Sequence, residues 1–99
     1  MTAVQDQITR RHGMYVIPNG DPVPEGFRTI LELDRTGHTR LAWDPTNEAE
    51  TAAAQAHFDM LRGKGFLATR RTGPRSGETM HSFDPAAEEI TMQPQTVGG

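Results

Sequence analysis

A chain of 99 residues with a hydrophobic fraction of 34% makes one domain with a modest core, burying about two-thirds of the surface that its unfolded form exposes. With no cysteine, disulfides, thiolate nucleophiles and zinc–thiolate sites are excluded. A formal net charge of −3 argues against a dedicated nucleic-acid binder, whose affinity comes largely from neutralising phosphates.

The opening Met1-Thr2-Ala3-Val4-Gln5-Asp6-Gln7 has neither the charged nor the apolar region of a signal peptide. No apolar run approaches the ~18 residues that span a bilayer, so a cytoplasmic protein without a membrane partner is expected. Residues 1–26 read as an extended or flexible arm. Within it Met14-Tyr15-Val16-Ile17 forms at most a short strand stopped by Pro18, Asn19-Gly20 is a turn signal, and Pro22 and Pro24 hold the backbone extended.

The organised domain is expected over residues 27–94. Thr29 to Asp34 reads as a strand, Arg35-Thr36-Gly37-His38 as a turn, and Thr39 to Trp43 as the returning strand, with Leu41 and Trp43 on one face. Asp44-Pro45-Thr46 predicts a helix start, with Asp44 as cap and Pro45 in the first turn. The helix runs to about Arg62. Ala54, Phe58 and Leu61 fall on one stripe, Glu48 and Glu50 sit near the positive end of the dipole, and Gly63 and Gly65 supply the stop. Phe66 to Arg70 reads as a strand, Thr72 to Gly77 as a turn or loop, and Thr79 to Phe83 as another strand. Asp84-Pro85 repeats the cap-then-proline signal with room for about one turn. Ile90-Thr91-Met92-Gln93 alternates as a last strand, Pro94 ends it, and residues 95–99 read as a mobile tail. Strands with one amphipathic helix give a two-layer α+β fold.

No chemical constellation emerges from this order. His12, His38, His57 and His81 include no pair at a helical metal spacing, so no metal or cofactor site is expected. His57 reads as a helix-flank residue and His81 as a packing or surface residue. The carboxylates are explained locally, as caps and dipole partners, with no pair set apart for acid–base work. Arg62-Gly63-Lys64-Gly65-Phe66 lacks the spacing of a phosphate loop and ends a helix instead of starting one. The chain therefore reads as a binding or carrier module and not as an enzyme. Arg62, Lys64, Arg70, Arg71 and Arg75 fall in one short stretch, either a solvated face or a partner-docking surface.

Glu88-Glu89-Ile90-Thr91-Met92-Gln93-Pro94-Gln95-Thr96-Val97-Gly98-Gly99 resembles the C-terminal signature of the ubiquitin-like β-grasp sulfur carriers, such as the small subunit of molybdopterin synthase and the sulfur carrier of thiamine biosynthesis. The pattern is an acidic residue, an alternating strand, a proline and a terminal Gly-Gly. The order of hairpin, helix and further strands over residues 28–99 is similar to theirs. The resemblance implies a β-grasp-like mixed sheet with one main helix packed on one face. It also implies that Gly99 carries a carboxylate activated by an ATP-dependent, E1-like adenylating partner, for sulfur transfer or conjugation. Gly98 would then provide clearance, because a residue without Cβ threads a narrow channel. The alternatives are a small non-catalytic structural or adaptor subunit of a larger assembly, such as a phage particle or a defence complex, and a nucleic-acid module built on the five basic residues.

Overall fold

The structure is a computed structural model that describes residues 10–35 and 37–94. The hairpin expected from the alternating residues forms the middle of a larger sheet. Strand β3 (Arg28–Asp34) pairs antiparallel with β4 (Gly37–Trp43), setting Ile30 opposite Leu41 and Asp34 opposite Gly37. Thr36 lies outside the described residues. Strand β7 (Glu89–Pro94) enters on the other side of β3, parallel to it, with Ile30 level with Ile90. Parallel neighbours need a long crossover. Here it holds β4, helix α1 (Glu48–Gly63), β5 (Phe66–Gly73) and β6 (Ser76–Met80). Strand β5 pairs antiparallel with β7 on one edge and with β6 on the other.

The described part of the N-terminal segment is built into this sheet. Strands β1 (Arg10–Arg11) and β2 (Met14–Ile17) form a hairpin whose second strand pairs with β4, Val16 opposite Leu41. Residues 10–17, read from the sequence as part of a loose arm, thus extend the sheet to seven strands in the order β1-β2-β4-β3-β7-β5-β6. The short strand expected at Met14–Ile17 forms; the polar Arg10–Gly13 gave no such signal, because the turn needs conformation more than hydrophobicity. His12 and Gly13 both take positive φ, 57° and 80°, as a tight two-residue hairpin with sheet-compatible twist requires. A Cβ at Gly13 would lie 2.6 Å from the Ala53 Cβ, so the turn rests directly on the helix.

The helix starts later than Asp44-Pro45 suggested. Its cap is Asn47, whose Oδ1 accepts the Glu50 N–H at 3.0 Å. Asp44 instead closes a local turn, accepting the Thr46 amide and hydroxyl at 2.9 and 2.7 Å. At the other end Gly65, at φ 95°, turns the chain out of the helix, and its N–H bonds to the Arg62 carbonyl. The predicted stripe of Ala54, Phe58 and Leu61 is buried against the sheet.

The second hairpin is tighter than Thr72–Gly77 suggested. Only Pro74 and Arg75 lie between the paired Gly73 and Ser76, and β6 ends at Met80. Gly77 permits this, since a Cβ there would come within 2.6 Å of Thr69 Cγ2 and 3.2 Å of the Arg70 carbonyl. Phe83, expected in a strand, lies beyond β6 and plugs the core between Trp43 and Phe58, at ring-centroid distances of 5.7 and 5.6 Å. The Asp84-Pro85 turn is a single turn, closed by the Ala87 N–H on the Asp84 carbonyl. The result is a mixed α+β fold with one described helix on one face of the sheet, arranged β-grasp-like: a hairpin, a crossing helix, and a last strand inserted beside the first.

Candidate functional site

The helix packs on one face of the sheet, and no described helix covers the other. Alternation puts Thr29, Leu31, Thr69, Arg71, Glu89 and Thr91 on that second face. The ladder sets Leu31 opposite Thr91 and Thr91 opposite Thr69. The segment between β2 and β3 crosses part of this surface. Arg40 Nη2 donates to the Asp21 carbonyl at 3.1 Å, His38 Nε2 bonds Asn19 Oδ1 at 3.0 Å, and Phe27 leans on Tyr15 at 5.9 Å.

What remains uncovered forms two joined clefts. One of about 810 Å³ runs between Gly26–Thr29 and Arg71–Gly73. The other, of about 370 Å³, is floored by Leu31, Thr69 and Thr91 and walled by the Pro74–Gly77 turn. Arg71 and Glu89 line both, joined by an ion pair of 2.9 Å. The floor carries one leucine and a row of threonine hydroxyls, with an exposed charge pair at the junction. Such a groove suits an extended stretch of a partner, held by hydroxyl and charge contacts. No set of three or more metal-donor side chains gathers among the described residues.

The five basic residues do not form one patch. Arg62 Nη1 donates to the Phe66 carbonyl at 2.9 Å, tying the helix end to β5. Lys64 is exposed at the helix C-terminus. Arg70 and Arg71 are consecutive in a strand and so point to opposite faces. Arg70 Nη2 meets Asp84 Oδ2 at 2.7 Å, while Arg71 reaches Glu89 on the open face. The bond from the Ala86 N–H, then the Arg70 guanidinium, hold the Asp84 carboxyl below its ordinary range. Of the five, only Arg71 and Arg75 line the groove. The other candidate pair, Gly98 and Gly99, lies outside the described residues.

Sequence reading missed a polar seam where the helix meets the N-terminal hairpin. Glu50 is 6% exposed and fully engaged. Its Oε1 accepts the Asp44 N–H at 2.8 Å, its Oε2 accepts the Tyr15 hydroxyl at 3.2 Å, and Arg10 stands 3.8 Å away. Two turns on, the buried His57 pairs through Nε2 with Glu32 Oε1 at 2.9 Å. Nδ1 of His57 finds no partner among the described residues. His12, from the hairpin turn, stacks on the His57 ring at 4.1 Å and 21°. Its pKa lies below the ordinary 6.5, first through desolvation and next through the neighbouring His57. The sequence carried no deciding signal for this seam, because β3 has Ile30 on the face of Glu32 and Leu31 and Leu33 on the other.

No protein-family model, curated protein or solved structure matches the chain. No described helix is long and apolar enough to cross a membrane.

Proposed function

We propose that this protein is a ubiquitin-like, sulfur-carrier-like protein whose Gly99 carboxylate is activated by an ATP-dependent, E1-like partner. The observation that carries the reading is the place of β7. It lies between β3 and β5, parallel to the first strand of the central hairpin, and its last residues, Gln93 and Pro94, are exposed. The sequence Gln95-Thr96-Val97-Gly98-Gly99 follows directly on that exposed end.

Two co-substrates are needed: ATP, and a sulfur nucleophile from a partner, hydrosulfide where a thiocarboxylate is formed and a thiolate where a thioester is formed. A Gly99 carboxylate oxygen attacks the α-phosphate of ATP and expels pyrophosphate, giving an acyl-adenylate. A sulfur nucleophile then attacks the acyl carbon and displaces AMP, leaving a thiocarboxylate or a thioester. Gly98 and Gly99 present no Cβ to obstruct the carbonyl. The domain serves as a handle, and the groove at Arg71–Glu89 is its docking surface for protein partners.

Intact mass spectrometry of the protein recovered from its own host tests this. The expected result is a C-terminus at Gly99 bearing an adenylate, a sulfur in place of oxygen, or a conjugate. Full biological activity of a variant extended beyond Gly99 would overturn the reading. The uncovered groove also favours a second one, a non-catalytic adaptor subunit of a larger assembly. That reading expects an unmodified C-terminus and protection of Leu31, Thr69 and Thr91 in the native complex.

A further inference from the structure

We propose that the N-terminal hairpin is an acid-released cover, latched to the helix flank by the stack of His12 on His57. The hairpin shields one edge of the sheet. It pairs Tyr15, Val16 and Ile17 with Ala42, Leu41 and Arg40, and it buries Met14 completely. Its attachment to the helix combines the Tyr15 and Arg10 contacts to Glu50, the close approach of Gly13 to Ala53 and the histidine stack at 4.1 Å; of these, the stack is the one made by two imidazoles.

The charges around the stack are unequal. Arg11 from the hairpin and Lys64 from the helix oppose a proton on His12, and so does His57. From the sheet, Glu32 alone favours one, and it already bonds His57 Nε2 at 2.9 Å. Glu50, Arg10 and Tyr15, next along the seam, satisfy one another. A proton on His12 places a cation beside Arg11, Lys64 and the His57 ring, and the one carboxylate that favours it among the described residues, Glu32, is already bonded to His57.

The sign follows from the direction of the His12 shift. Its pKa in the folded state lies below the ordinary 6.5, so the opened hairpin binds the proton more readily than the closed one. Latching is complete above that value and weakens as the pH falls through and below it. His12 also stands in the left-handed region at φ 57°, so opening relieves backbone strain. Release uncovers the edge of β4, a row of unpaired backbone donors and acceptors ready for another strand. This inference is independent of the chemistry proposed at Gly99.

Amide-exchange protection factors of the full chain, followed by NMR from about pH 7.5 to about pH 5.5, span the imidazole range and test the latch. Protection of Tyr15 and Ile17 is expected to fall several-fold, while that of Ile30 and Ile90 in the central strands stays level. In His12→Asn, which keeps a residue tolerant of positive φ and suited to this turn, the loss should disappear. Equal loss in the variant and the unaltered chain would overturn the proposal, as would loss shared by Ile30 and Ile90, or none at Tyr15 and Ile17.

Discussion

Gly13 and Gly20 both hold positive φ, 80° and 88°, yet they differ in what surrounds them. Nothing lies within 4 Å of a Cβ at Gly20, whereas one at Gly13 meets the Ala53 Cβ at 2.6 Å. Gly20→Ala should therefore cost only the left-handed strain, about 1–2 kcal/mol. Gly13→Ala adds a collision between a turn and a helix, and should cost more in urea denaturation. Pairing it with Ala53→Gly should recover part of the difference, since the two sites share one contact. Glu50 makes a related point about residue identity. Its place in the first helical turn was visible from the sequence as a charge favoured by the dipole. Its partners Tyr15 and Asp44 were not, because they depend on where the hairpin folds.

At the scale of elements, the apolar patterns located the central hairpin, the helix, β5 and β7, while the ends depended on polar competition. Asp44, Thr46 and Asn47 all suit a helix start. Asp44 spends its carboxylate on Thr46, which leaves the first free helical N–H groups to Asn47. Asn47→Ala should accordingly cost about 1 kcal/mol, measured by chemical denaturation, through loss of the bond to the Glu50 N–H. The β5–β6 hairpin shows the opposite error. Its run of glycine, proline and serine suggested a loop, but a Cβ at Gly73 would meet the Ser76 hydroxyl at 2.8 Å and one at Gly77 the Thr69 Cγ2 at 2.6 Å, so both glycines make room for cross-strand side chains. Small residues fit loops and tight ladders alike, and only the pairing distinguishes the two.

For the whole molecule, stability is concentrated where the helix closes on the sheet. Phe58 is fully buried and touches Phe83, which in turn touches Trp43, so one side chain links the helix, the β6–β7 connection and β4. Phe58→Ala should cost about 3–5 kcal/mol, a large share of the ~5–15 kcal/mol that holds a domain together. Urea titration followed by Trp43 fluorescence reads that loss, because Trp43 sits at the end of the chain of contacts. The sequence by itself determined the central hairpin, the helix and its buried stripe, and the last strand, because periodicity reports which residues leave water. It also pointed to the glycine pair beyond that strand. Tertiary structure alone decided that residues 10–17 join the sheet, that Arg70 and Arg71 part company, and that Glu32, His57 and His12 meet. The physical reason is that these contacts link residues distant in the chain. In β3 both faces carry apolar side chains, Ile30 on one and Leu31 and Leu33 on the other. Alternation there is equally consistent with Glu32 facing inward or outward, and only the packed helix selects the inward choice.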